Sequence, residues 1–262
     1  MIASLSMYDR PETAEAWDAL WQGIRTHLDR SDAPEALTRD ADLWQVWTAP
    51  SLLLGQTCGM PYRTRLYDKV TLVGTLDHGL VKPAGYYNSV IVAQRDRAQD
   101  PLSRFAGQRF AYNDGVSQSG WAAPITLMRD NNMLPGSLLQ TGAHRASAQA
   151  VADGQADFAA LDCVSWLHMS RHDGFAADLV VIAETPPTPG LPLIIAKSED
   201  PAPLRAAIRT AIEGLSPEQR DTLHLFGLVE IPAAEYLAVP TPLGPVLTEQ
   251  TIRLQGHTAP AG

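Results

Sequence analysis

Residues 108–121 read QRFAYNDGVSQSGW, and no other stretch restricts the fold as much. Arg109 to Tyr112 alternates as a short buried strand does, Asn113-Asp114-Gly115 is turn chemistry, and Ser117-Gln118-Ser119-Gly120 opens a segment of helix formers. A strand, a turn and a helix start therefore follow one another directly. Two hydroxyls and several backbone N–H groups without helical partners converge at a positive helix end, a setting that suits a phosphate, phosphonate, sulfate or carboxylate.

The rest of the chain repeats the alternation. Apolar runs at 2–7, 51–54, 70–76, 89–93, 158–161, 179–183 and 191–196 read as strands, with a short one at 35–38. Helical periodicity begins at Pro11-Glu12 and runs through Trp17, Leu20, Trp21, Ile24 and Leu28; it returns at 40–47, 145–152, 203–215 and 217–225. A second helix-start signal, Thr141-Gly142-Ala143-His144, precedes the helix at 145. Strands alternating with helices predict an α/β fold with mainly parallel sheets and helices on both faces. Pro- and Gly-bearing passages at 82–87 and 184–190 (ETPPTPG) read as crossings between two lobes: 1–84 with 187–262, and 85–186. In such folds the ligand cleft lies between the lobes, beyond the carboxyl ends of strands. Tyr8, Gln56-Thr57, Ser117 to Ser119 and Asp162 fall there.

A chain of 262 residues, 45% hydrophobic, can bury a full core without disulfides. Its net charge of −9 and the lack of any Lys/Arg run argue against a nucleic-acid or anionic-membrane surface. No apolar run approaches 18 residues and no basic leader precedes an apolar segment, so the sequence as written reads as cytoplasmic, or as periplasmic if a signal has been removed. Cys58 and Cys163 stand in no metal or redox spacing and are expected to be free thiols.

Five blocks resemble the solute-binding proteins of phosphate, phosphite and phosphonate ABC transporters, a branch of the type II periplasmic-binding-protein fold. They are LLLGQTCGMPY (52–62), YYNSVIVAQRD (86–96), FAYNDGVSQSGW (110–121), TGAHRASAQAVADGQADFAALD (141–162) and ETPPTPGLPLI (184–194). The resemblance implies a small tetrahedral oxyanion held by Ser117, Gln118, Ser119 and Gly120, with His144 and one of Tyr86 and Tyr87. It also implies a transporter permease as partner, no cofactor and no metal; a monomer without membrane insertion is expected. Pro124, falling where the helix after SQSG should run, departs from the pattern.

Other readings compete. Ser117 and Ser119 suit simple helix capping. Asp162 could meet a ligand amine or cap a turn, and Trp121 and Trp166 suit a core. Gly115-Val116-Ser117-Gln118-Ser119 narrowly misses the G-x-S-x-G nucleophile elbow, lacking the last glycine. His168 and His172 have helical metal spacing but lack the catalytic glutamate of H-E-x-x-H. A cytoplasmic enzyme on the same scaffold acting on a small carboxylate, in the manner of chorismate dehydratase, is the alternative; it would need a positioned base, for which Asp114, His144 and Asp162 are candidates.

Overall fold

The computed structural model describes residues 1–258, in two compact units. The first holds Met1–Tyr87, with β1 (Ile2–Ser4), α1 (Ala14–Leu28), α2 (Leu43–Trp47), β2 (Leu52–Gln56), α3 (Gly59–Pro61, continued by a wide π turn over Tyr62–Leu66), β3 (Val70–Asp77) and β4 (Tyr86–Tyr87). Asn88–Pro187 then builds the second unit with β5 (Ser89–Gln94), β6 (Arg109–Tyr112), a π turn over Gln118–Ala122 leading into α4 (Ala123–Asp130), β7 (Ser137–Gln140), α5 (His144–Ala152), β8 (Phe158–Asp162), α6 (Cys163–His172) and β9 (Leu179–Glu184). Thr188–Val239 returns to the first unit as β10 (Thr188–Pro189), β11 (Pro192–Ala196), α7 (Pro201–Gly214), α8 (Pro217–Leu223), β12 (Gly227–Val229) and α9 (Ala233–Leu237). The last helix, α10 (Pro245–Thr258), belongs to the second unit.

Each unit is built on one open five-stranded sheet, ordered β1-β2-β11-β3-β12 in the first and β7-β6-β8-β5-β9 in the second. These sheets are mixed, which corrects the mainly parallel expectation. β1 and β2 are parallel, as are β6 with β7 and β8, but β11 lies antiparallel to β2 and β3, and β5 antiparallel to β8 and β9. The cause is connectivity: β11 enters after the chain has left the first unit and come back, so no right-handed crossover fixes its direction.

In the first unit α1 buries Trp17, Leu20, Trp21 and Ile24 and packs on α7, which covers β3 and β12. The two helices approach closely at Gly23, where an added Cβ would meet the Ala211 Cβ at 3.0 Å. Asp200 caps α7 with Pro201 beside it, and Ser216 with Gln219 forms a capping box at α8. The expected strand at 35–38 does not form; Thr38 spends its N–H on the Ala3 carbonyl in an irregular segment.

The second unit's core gathers Phe105, Phe110, Tyr112, Trp121, Ile125 and Phe158. The sequence reading placed 187–262 with the first lobe. The chain from Pro240 onward instead joins the second unit: the Trp121 indole N–H donates to the Leu243 carbonyl at 3.0 Å, and Pro245 packs against Gly115.

Candidate functional site

Parallel pairing of β6 with β7 and β8 brings three strand ends to one edge of the second unit. The turn after β6 supplies Asn113 to Gly120, the end of β7 supplies Thr141 to His144, and β8 ends in Asp162. β5 starts at that same edge, with Ser89 opposite Asp162. The edge joins residues that are far apart in sequence.

Ser117 caps the π turn by accepting the Gly120 N–H at 2.9 Å, so the capping reading of Ser117 is realised. A hydroxyl that accepts one bond still has its proton to donate. The wide turn also accommodates Pro124. Ala122 and Ala123 donate to the carbonyls of Ser117 and Gln118, five residues back, and by the same step Pro124 would reach Ser119, for which it has no N–H. The Ser89 hydroxyl donates to that Ser119 carbonyl at 2.8 Å, in the proline's stead.

Ser119 Oγ lies 3.0 Å from His144 Nε2, and the Asn113 amide nitrogen 3.5 Å from the same atom. Gly120 lets Asn113 lie close: a Cβ there would fall 1.9 Å from Asn113 Oδ1 and 3.2 Å from the His144 ring. Asn113 Oδ1 is buried without a hydrogen-bond partner. Burial pushes His144 down to about 4, the nearby Ala160 carbonyl opposing only in part. His144 is therefore a neutral ring at pH 7. Arg145 turns to Asp173 at 3.0 Å.

Two sequence candidates have local work. The Thr141 hydroxyl lies within hydrogen-bond distance of the Tyr112 and Ala143 carbonyls and of Ser147 Oγ. Asp162 Oδ1 accepts the N–H groups of Val164 and Ser165 as the cap of α6. Beside Asp162, burial pushes the Cys163 thiol up to about 12. Neither cysteine forms a disulfide, and both are buried.

Tyr8, Gln56, Thr57, Tyr86 and Tyr87 belong to the first unit. Tyr8, Gln56, Thr57 and Tyr87 are buried, and Tyr87 OH stands 3.8 Å from Cys58 Sγ. Tyr86, half-buried, donates to Glu235 instead. Half-buried Arg63 stands beside Cys58 and Tyr87, burial lowering its pKa against their influence. Sequence reasoning had not singled out Ser89, Arg63 or Asn113 as functional; Asn113 was visible only as a turn residue. His168 and His172 stack ring on ring at 6.5 Å. Among the described residues no cluster of His, Cys, Asp and Glu could hold a metal ion, and no helix is long and apolar enough to cross a membrane.

Two open mixed sheets, each presenting polar groups at strand ends, together with buried hydroxyls at a helix start, define a solute-binding protein of the two-lobe periplasmic-binding-protein class. The chain belongs to the family of phosphonate periplasmic substrate-binding proteins of ABC transporters, whose family model matches residues 52–236. Its fold is similar to that of PhnD1 from Prochlorococcus marinus in complex with methylphosphonate (TM-score 0.71, 12% identity, 98% of each chain covered). It is also similar to PA3383 from Pseudomonas aeruginosa, a binding protein component of an ABC phosphonate transporter (TM-score 0.66, 16% identity, 95% of this chain and 92% of that one). XAC2383 from Xanthomonas citri, bound to chloride, aligns with TM-score 0.64 and 15% identity over 95% of this chain and 97% of that one. No curated protein matches the chain.

Proposed function

We propose that this protein captures a small tetrahedral oxyanion of the phosphate or phosphonate type, as the periplasmic binding component that delivers it to an ABC permease, and that it does so as a monomer without covalent chemistry. The observation that carries the reading is the Ser119–His144 contact, 3.0 Å long, at a capped helix start with Asn113 beside it. Hydroxyl and N–H donors aimed at one place, with a neutral imidazole behind them, suit an anion that is bound by hydrogen bonds. Family membership and the methylphosphonate held by PhnD1 support the same ligand class. Of the three bases the lyase alternative could use, Asp162 Oδ1 accepts two backbone N–H groups, Asp114 Oδ1 accepts that of Val116, and His144 Nε2 is engaged by the Ser119 hydroxyl.

Titration calorimetry with methylphosphonate, inorganic phosphate and sulfate tests the assignment. Charge-assisted hydrogen bonds contribute about 1.5 to 3 kcal/mol each, so Ser119→Ala should weaken the best ligand by about 10- to 100-fold while the thermal melt stays cooperative. Unchanged affinity in that variant, or turnover of the ligand seen by phosphorus NMR, overturns the reading.

A further inference from the structure

The second unit carries a groove that the oxyanion reading does not use. In β5, Ser89 faces Asp162 at the edge that holds Ser119 and His144, while Gln94, five residues on, faces Leu179. At the rise of a strand those two pairings stand roughly 17 Å apart. α6 starts from its cap at Asp162 on the first edge, and the 3-10 turn over Gly174–Asp178 that follows α6 delivers the chain to Leu179 on the second. There Arg95, just past β5, encloses a groove of about 470 Å³ with Trp166, Ser170, Arg171, His172 and Leu179. That volume falls in the range of small-molecule sites.

The chemistry of the groove is one-sided. Arg95 donates from Nε to the Ala177 carbonyl, which pins the guanidinium to the 3-10 turn, and its two terminal nitrogens have no protein partner among the described residues. The Trp166 indole N–H and the Ser170 hydroxyl have none either. Arg171 adds a second guanidinium. Of the described residues that line the groove, Asp173 alone is a carboxylate, and it is already bonded to Arg145 at 3.0 Å with 5% of its side chain exposed. A guanidinium fixed through Nε still presents both terminal nitrogens, a planar fork that fits a carboxylate. Beside it the half-buried Trp166 and the buried Ala176 and Leu179 supply a flat apolar wall. A tetrahedral phosphonate has no flat body to lay against such a wall.

We infer that this groove is a second binding site, for a small organic acid: the two terminal nitrogens of Arg95 hold its carboxylate, and a flat apolar body, best an aromatic ring, packs on Trp166. The inference stands on this groove alone and is independent of the oxyanion reading.

Benzoate carries both features, benzamide the body without the charge, and acetate the charge without the body. Nitrogen–proton NMR of the wild-type protein, titrated with each, reads the six tryptophan indole N–H signals, that of Trp166 being assigned with Trp166→Phe. Benzoate should move the Trp166 signal and leave that of Trp121, at the oxyanion edge, still; for so small a molecule a Kd of about 1 mM or tighter is expected. Benzamide and acetate should each bind at least about tenfold more weakly, and Arg95→Gln, a change at an exposed residue, should weaken benzoate by about tenfold. A Trp166 signal that stays still, equal binding of benzamide, or full affinity in Arg95→Gln overturns the assignment. So does a response at Trp121 in place of Trp166, which would put benzoate at the oxyanion edge.

Discussion

His144 and His78 share a condition that can be measured without any ligand. Each is buried neutral, with its pKa pushed down to about 4, while in an unfolded chain a histidine titrates near 6.5. Between those values the unfolded chain takes up protons that the native protein does not. Stability is then full above about pH 6.5 and falls as the pH drops, by about 3 kcal/mol per histidine once pH 4 is reached. Urea melts from pH 7 to 4.5 should show this decline, with a shallower slope in His144→Gln. For the same reason the loss of affinity in His144→Ala should be equal at pH 6 and pH 8. A loss confined to pH 6 means the ring is charged in use. Gly120→Ala is a second residue-scale case. A methyl group 1.9 Å from Asn113 Oδ1 must displace that side chain, so phosphonate binding should be abolished in calorimetry, with destabilisation of about 1 to 3 kcal/mol in a denaturant melt.

The π turn between β6 and α4 is the element on which the second unit's edge depends. Its extra width carries Pro124 without an orphaned carbonyl only because Ser89 donates to Ser119 O. Ser89→Ala leaves that buried acceptor unpaired and should cost about 1 to 3 kcal/mol, measured by chemical denaturation. No loss would mean that another donor reaches it. Elements of this kind divide into those legible in the sequence and those that are not. β2, β5, β8 and β11 are fully or almost fully buried apolar runs, and runs of that kind announce themselves. β7 and β12 are short, partly exposed edge strands, with little pattern to read. α6 is hidden because its residues, CVSWLHMSRH, carry no sustained apolar period, and its cap, Asp162, reads equally as a ligand group or as the cap of a turn. The Ser117 to Gly120 turn and the helix start at His144 were readable because helix-start chemistry is local. The parts played by Ser89 and Asn113 depend on strand pairing and on contacts with residues far along the chain, which no local spacing records.

At the scale of the whole molecule, the chain passes between the units at Tyr87/Asn88, Pro187/Thr188 and Val239/Pro240, once more than the proline-rich segments suggested. The third passage serves the second unit's core, since the segment after Pro240 supplies the Leu243 carbonyl to Trp121 and the Pro245 ring to Gly115. Ending the chain at Val239 should raise hydrogen exchange in β6, the π turn and β7, and leave β2, β3 and β11 as protected as before. Equal exposure of both sheets would show that the two units unfold as one.

That third passage also sets the order of events at the ribosome. A nascent chain stopped at Pro187 lacks β11 and β12, so the first sheet has lost its centre and one edge. Stopped at Val239, it still lacks the carbonyl that Trp121 bonds. Neither half can finish folding until nearly the whole polypeptide has been made, so the two sheets are completed late and close together in time rather than one after the other.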